Sequence, residues 1–274
     1  MPLTTDQSRA SRLYPITGPA ERVRVSYRAE LHRTGTYRYL PAIPAYSAGV
    51  AAEPGYEIAG LRFAEPSPIH VAFARLDGEL ESRGLNASAI VGFELRSPAP
   101  VGFGSFNDFN EEYRKLLIER DLLDGEHNPV ARTNISPVNA APAEPVILAA
   151  YLVRPAQRGA QGDFVVAGCG EVDGALAPEN IVAFRDLSQS GLIQKAEFVL
   201  GEILARIEAL GGKPDEPNII NEYSAHAIDG LAELIERRLP AASHSGYVHW
   251  SARPPVADIE FEMDCRRLSE WEVV

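Results

Sequence analysis

The chain has 274 residues, a length that fits one large domain or two of about 130 residues each. Its 45% hydrophobic and 23% charged residues are typical of a globular protein, and no apolar run approaches the roughly 20 residues that would span a bilayer. The net charge of −12 repels nucleic acid, so an anionic substrate would need a local basic group.

The amino terminus is predicted to be a flexible arm over residues 1–22. It lacks the apolar core of a signal peptide and contains small, polar and proline residues. These features favour a cytoplasmic protein without membrane partners.

The cysteine pattern predicts neither a zinc site nor a disulfide framework. Cys169 and Cys265 lie far apart, without a CxxC motif or a histidine-rich neighbourhood. Small buried apolar roles are the simplest interpretation of both residues.

Hydrophobic periodicity predicts strands and helices in the first half of the chain. Apolar residues alternate in VRVSYRAEL, and they recur at helical spacing in IHVAFARLDGELESRGL and SFNDFNEEYRKLLIERDLL. The turn signal EPSP precedes the first helix, and Gly84 ends it. In chain order the predicted elements are strand 23–31, helix 69–85, strand 88–98, helix 105–123 and two strands within 131–153.

The second half repeats this order. A long amphipathic helix is predicted over 187–212, because apolar residues recur at helical spacing before a Gly-Gly stop. The other predicted elements are strand 162–172, a short strand in 217–225, helix 226–239 and two strands within 245–268. Two fused units would explain the repetition, with an arm over 1–22, domains over 23–154 and 163–274, and a linker in RPAQRGAQGD.

Several segments resemble the YjgF/RidA family of enamine and imine deaminases. In the second half these are GDFVVAGCGEV, the long helix and IEFEMDC, and in the first half they are FNDFNEEYRKLL, NPVARTNI and VILAAYLV. The likeness covers residues 23–265 as two copies. It implies an α+β fold of two fused YjgF/RidA-like (chorismate-mutase-like) domains, each a mixed, mostly antiparallel sheet with two helices on one face. It also implies a homotrimer with clefts between subunits.

The resemblance implies a carboxylate-binding arginine at Arg132, in PVART, and a water-positioning glutamate at Glu260. Each half retains only part of this pair: the glutamate position of the first half falls near Ile147, and the arginine position of the second falls near Ser245 or Gly246. We therefore expect a composite cleft that takes Arg132 from one half and Glu260 from the other.

Further candidate substrate-binding residues are Thr133, Asn110, Cys169 and His244. Each has a simpler interpretation: helix capping or a surface contact for Asn110, a cleft-lining thiol for Cys169 and a structural histidine for His244. Arg132 alone could equally form a surface ion pair.

The strand IEFEMD contains three acidic residues whose pKa values could be changed by their mutual repulsion. Glu260, Glu262 and Asp264 fall on one strand face, where mutual repulsion could raise one pKa. The simpler interpretation of Glu262 and Asp264 is a solvated face.

The resemblance includes aminomuconate deaminases of aromatic-compound catabolism. It implies a hydrolytic deaminase of an enamine or imine carboxylate, preferably 2-aminomuconate or a substituted analogue, that needs no cofactor or metal. Alternatives on the same fold are a tautomerase, a ring-opening hydrolase, a chorismate-type lyase and a non-catalytic dicarboxylate-binding protein.

Overall fold

The computed structural model describes residues 27–157 and 162–274. The predicted arm at 1–22 therefore lies outside the described residues, as do residues 23–26 of the predicted strand 23–31. Of that strand, only Glu30–Leu31 is seen as β-structure. Within the described part, no helix is long and apolar enough to cross a membrane.

The described residues form an α+β fold of helices packed on a large sheet. The strands are β1 (Glu30–Leu31), β2 (Tyr37–Leu40), β3 (Gly49–Ala52), β4 (Tyr56–Pro68), β5 (Ile90–Arg96), β6 (Ala131–Pro137), β7 (Val146–Pro155), β8 (Phe164–Gly170), β9 (Ile219–Ser224), β10 (Val248–Arg253), β11 (Phe261–Arg267) and β12 (Glu270–Val273). The helices are α1 (Ile69–Ser82), α2 (Phe103–Glu119), α3 (Gln189–Ala209), α4 (Leu231–Arg238) and α5 (Ala241–Ser245).

These strands form one continuous sheet in the order β1-β2-β3-β8-β11-β9-β10-β6-β5-β7-β4-β12. Two sets of four strands within it have the same arrangement, β8-β11-β9-β10 and β4-β7-β5-β6, with two antiparallel pairs followed by one parallel pair. The sets meet where β10 pairs antiparallel with β6.

The first strands join the sheet of the second half. β3 pairs with β8 through Gly49↔Val166 and its two following positions, whereas β4 lies beside β7 and β12. Residues 30–52 therefore belong to the first half of the chain by sequence but lie beside the strands of the second half in the sheet. The domain boundaries 23–154 and 163–274 stay a prediction.

Helix α3 follows its predicted pattern closely. Ser188 caps it by accepting a hydrogen bond from the amide of Gly191 at 3.2 Å, and the backbone turns at Gly211, with a φ of +85°. Its apolar stripe is buried against β8 and β11.

Two predicted boundaries are wrong. EPSP is not a turn, because β4 continues to Pro68 with a register shift between Arg62 and Ser67. The helix predicted over 226–239 begins only at Leu231, since Gly230 has a left-handed φ of 76°, and a short helix follows at Ala241–Ser245, where a strand was predicted to begin.

A buried polar layer joins the two halves of the sheet. Arg266 of β11 contacts Asp264 at 2.5 Å and also binds Glu94 of β5. Thr133 of β6 donates to Asp264 at 2.7 Å. The halves are thus held together by charged hydrogen bonds as well as by apolar contacts.

Candidate active site

A cavity of about 550 Å³ lies between the two halves of the chain. Its volume is in the range typical of small-molecule sites. Its wall combines residues of β6, β8, β11 and α3 with the segment that follows Tyr27. The lining side chains with chemical functions are Tyr27, Arg28, Glu30, Tyr46, Arg132, Asn134, Cys169, Glu202, Arg206 and Glu262.

Arg132 is almost completely buried at 3% exposure, so the surface ion-pair interpretation does not apply. Its Nη2 donates to the Oδ1 atom of Asn110 at 2.8 Å, and its Nη1 is buried without a hydrogen-bond partner among the described residues. Four aromatic rings surround the guanidinium, those of Tyr46, Phe106, Phe109 and Tyr113, at 4.4–5.6 Å.

The environment of Arg132 explains how the side chain is held and why it can still bind a ligand. Stacking on aromatic faces is favourable for a guanidinium, whereas no carboxylate of the described residues lies within ion-pair distance. Burial lowers the pKa of Arg132 from its ordinary value, but arginine still remains charged. An unpartnered buried N–H is costly, so Nη1 favours an anionic ligand.

Glu262 of β11 contributes a buried carboxyl group to the cavity wall. Burial raises its pKa well above the ordinary value, and the nearby charges of Asp264 and Glu171 raise it further, against the opposing effects of Arg132 and Arg206. Burial therefore favours the protonated, neutral form of Glu262 over the carboxylate.

Gly168 of β8 makes room for this carboxyl group. A Cβ atom at position 168 would lie 2.1 Å from the Oε1 atom of Glu262 and 3.2 Å from the Cα atom of Thr133. No side chain larger than hydrogen fits there without displacing Glu262.

Arg206 of α3 is a second guanidinium in the cavity wall. Its Nε donates to the hydroxyl of Tyr27 at 3.1 Å, and its Nη1 donates to the carbonyl of Ala167 at 3.4 Å. The Tyr27 hydroxyl in turn donates to the Oε2 atom of Glu202 at 2.6 Å. Sequence reasoning missed Arg206, which falls on the polar side of a strongly amphipathic helix.

The predicted substrate-binding residues have different surroundings. Asn110 is buried against Arg132 rather than capping a helix. Thr133 accepts from the amide of Gly168 at 3.1 Å while donating to Asp264, so its hydroxyl is engaged in structure. Cys169 lines the cavity, and burial raises the pKa of its thiol to about 11, which keeps it a poor nucleophile.

Glu260 and His244 lie outside this cavity. The Oε2 atom of Glu260 is 2.8 Å from the Nε2 atom of His226, and His244 is exposed at the end of α5. The structure therefore brings Arg132 together with Glu262, two residues beyond Glu260. Among the described residues no cluster of histidine, cysteine and acidic side chains has the geometry of a metal site.

His249 pairs with a different acid on the neighbouring strands. Its Nδ1 lies 2.5 Å from the Oε2 atom of Glu222, which is buried, while the imidazole is about half exposed. His249 does not line the cavity that contains Arg132.

The sequence profile of the family described as "2-aminomuconate deaminase CnbZ" matches residues 29–271. The chain belongs to this family. A curated relative, the 2-amino-5-chloromuconate deaminase of Comamonas testosteroni, is 39% identical over 237 residues, which cover 85% of this chain and 93% of the relative. All the cavity-lining residues from Glu30 to Glu262 fall inside the matched range.

Solved structures show weaker likeness. The YjgF gene product of E. coli is 16% identical, with a TM-score of 0.29 over 39% of this chain and 80% of that one. A chorismatase is 10% identical, with a TM-score of 0.44 over 87% of this chain and 78% of that one.

Proposed function

We propose that the protein is a hydrolytic deaminase of 2-aminomuconate or a substituted analogue in aromatic-compound catabolism. The observation that carries the proposal is one cavity lined by Arg132, a buried arginine with an unpartnered N–H, and by Glu262, a buried glutamic acid whose pKa is raised by burial. Membership in the family and the 2-amino-5-chloromuconate deaminase relative support the substrate class.

Arg132 binds a substrate carboxylate in this proposal. Its Nη1 provides a donor directed away from Asn110, and the planar guanidinium matches the two oxygens of a carboxylate. The surrounding rings restrict the position of the guanidinium, so the bound carboxylate orients the rest of the substrate.

Glu262 transfers protons in this proposal. The protonated carboxyl group gives its proton to the enamine carbon next to the C–N carbon, which produces an iminium ion and leaves a carboxylate. That carboxylate takes a proton from the water that attacks the iminium carbon. It then returns the proton to the nitrogen. As the C–N bond breaks, the carboxylate takes the proton of the new hydroxyl group, which gives ketone and ammonia and restores the protonated acid.

This sequence of steps consumes one water molecule and releases ammonia, so it classifies the enzyme as a hydrolase acting on a C–N bond. Proton transfers alone suffice for it, and we propose that the reaction is cofactor-independent. A homotrimer and a cytoplasmic location stay predictions from the sequence.

We also propose that the two halves are fused copies of one unit. The strand arrangement that the two halves share supports this. The cavity would then be composite, with Arg132 from the first copy and Glu262 from the second.

Ammonia release from freshly prepared 2-aminomuconate tests the function. We expect release by the wild type and a loss of about 100-fold or more in kcat/KM for Arg132→Gln, as the carboxylate contact is lost and substrate orientation with it. Binding of 2-aminomuconate without release of ammonia would contradict the proposal.

A further inference from the structure

We propose that Arg206 is a second carboxylate-binding residue, so that the cavity selects substrates with two carboxylates over those with one. The proposal deepens the proposed function, on which it rests for the location of the site, by assigning the second carboxylate to a named residue. Arg132 and Arg206 come from different elements, β6 and α3, and both line the same cavity.

The hydrogen bonds of Arg206 leave part of its guanidinium available. An arginine has five N–H donors. Within the described ranges, Nε is engaged by Tyr27 and one N–H of Nη1 by the carbonyl of Ala167, at the long distance of 3.4 Å. The Nη2 group has no acceptor among the described residues and is not enclosed, since it is absent from the buried unpartnered atoms.

Tyr27 and Glu202 position Arg206 without neutralising it by direct contact. The phenol hydroxyl stands between the two charges, accepting from Nε of Arg206 and donating to Glu202 at 2.6 Å. No carboxylate of the described residues lies within ion-pair distance of Arg206. The Nε edge is therefore fixed by the protein, while Arg206 lines the cavity and its Nη2 group has no acceptor among the described residues.

The charge and size of the cavity agree with a dianion. Burial favours the neutral form of Glu262, which lessens its repulsion of an anionic ligand, and the guanidinium groups of Arg28, Arg132 and Arg206 in the cavity wall outnumber the remaining carboxyl groups of Glu30 and Glu202. A volume of about 550 Å³ exceeds what a six-carbon chain needs. A ligand without the second carboxylate would leave Arg206 partly desolvated and unpartnered, which disfavours its binding.

Binding of two non-reactive ligands tests the proposal. trans,trans-Muconate and sorbate are six-carbon dienes that differ in one terminal group, a carboxylate in muconate and a methyl group in sorbate. By isothermal titration calorimetry at neutral pH, we expect the wild type to bind muconate about tenfold or more tightly than sorbate, the gain of one charge-assisted contact.

Variants of Arg206 test whether this residue causes the preference for muconate over sorbate. Arg206→Gln should bind muconate and sorbate with affinities within about threefold of each other, with its sorbate affinity unchanged. Arg237→Gln removes an equal charge from the exposed face of α4, outside the cavity, and should retain the wild-type preference. Arg206→Lys, which preserves the charge, serves if the glutamine variant does not fold, and should reduce the preference.

Equal affinities of the wild type for the two ligands would overturn the proposal, as would an undiminished muconate preference in the folded Arg206 variants. Neither ligand contains an amino group, so the result does not depend on turnover. A protein that prefers muconate through Arg206 but releases no ammonia from 2-aminomuconate would contradict the proposed function alone.

Discussion

At the residue scale, the strand IEFEMD shows what alternation can and cannot predict. It predicts that Glu260, Glu262 and Asp264 share a face, but it does not predict the surroundings of each carboxyl group. Glu260 contacts His226, Glu262 lies in the cavity, and Asp264 joins the buried layer with Arg266. The sequence signal that could have identified Glu262 is the glycine at position 168. A glycine is needed there because the Glu262 carboxyl group lies too close for a larger side chain.

The surroundings of Arg132 were only partly predictable. The apolar stripe of FNDFNEEY indicated that Phe109 and Tyr113 share one face of α2, and the PVART motif indicated a strand residue. That these rings stack on the guanidinium depends on the packing of α2 against β6, which local spacing does not determine.

Titration of Glu262 makes stability depend on pH. Because the folded protein raises the pKa above the ordinary 4.5, the folded state binds the proton more tightly than the unfolded state does. Stability from this group is complete below pH 4.5 and is lost as the pH rises toward the folded pKa. We expect the free energy of unfolding of Glu262→Gln to decline less with rising pH than that of the wild type.

Urea unfolding between pH 5 and 9 measures that effect, with Glu260→Gln as the matched control. The control should follow the wild-type pH dependence, because Glu260 lies outside the cavity. Parallel curves for wild type and Glu262→Gln would show that Glu262 does not change its protonation on folding.

At the element scale, the pairing of β8 with β11 positions Glu262 in the cavity wall. The buried Glu171, at the end of β8, accepts the amides of Glu260 and Phe261 at 2.6 and 3.0 Å and pairs with Lys195 of α3 at 3.2 Å. These contacts fix the beginning of β11, where Glu262 pairs with Gly170 and its carboxyl group lies against Gly168.

Substitution of Gly168 by alanine tests this close approach. The added methyl group would overlap the Glu262 carboxyl group, so we expect kcat for ammonia release to fall by about 10- to 100-fold, as misplacement of a reacting group by about 1 Å is costly. The control is Gly78→Ala in α1, where a Cβ meets nothing within 4 Å.

The control should retain full activity and gain up to about 1 kcal/mol of stability, because alanine favours a helix more than glycine does. Unchanged activity in Gly168→Ala would show that the position of the Glu262 carboxyl group does not limit turnover.

The elements themselves were predictable where one local pattern dominates. The long helix α3 is confirmed by its capping serine and its buried apolar stripe. The turn predicted at EPSP was wrong, because β4 continues through these prolines where its register with β7 shifts. The helix at 226–239 is shortened by the left-handed Gly230, a conformation that spacing of apolar residues does not reveal.

At the scale of the whole molecule, long-range pairing decides how the cavity is assembled. β3 pairs with β8 across more than a hundred residues of sequence, and Ser47 bonds to the carbonyl of Val130 at 2.9 Å. Such long-range pairings leave no signal in the local sequence. The sequence therefore predicted a composite site but not which residues line it.

The polar layer between the halves also belongs to this scale. Burial alone would raise the pKa of Glu94, but Arg266, Arg96 and the Tyr151 hydroxyl outweigh it and lower the pKa to about 2. Both Glu94 and Asp264 thus rely on Arg266 for compensation of a buried charge.

Arg266→Met should therefore destabilise the protein by about 3–5 kcal/mol in urea unfolding, because it leaves buried carboxylates uncompensated. The control Arg33→Met breaks a pair with Asp121 at the surface and should cost about 0–1 kcal/mol. Equal, small effects of the two substitutions would mean that the layer does not hold the halves together.

The most direct measurement of the central claim compares Glu262→Gln with Glu260→Gln in ammonia release from 2-aminomuconate at neutral pH. If the buried acid of the composite cavity transfers the protons, Glu262→Gln should lower kcat by about 100-fold or more, while Glu260→Gln stays within about threefold of the wild type. Loss of activity in Glu260→Gln with full activity in Glu262→Gln would contradict the claim and move the reaction to the site beside His226.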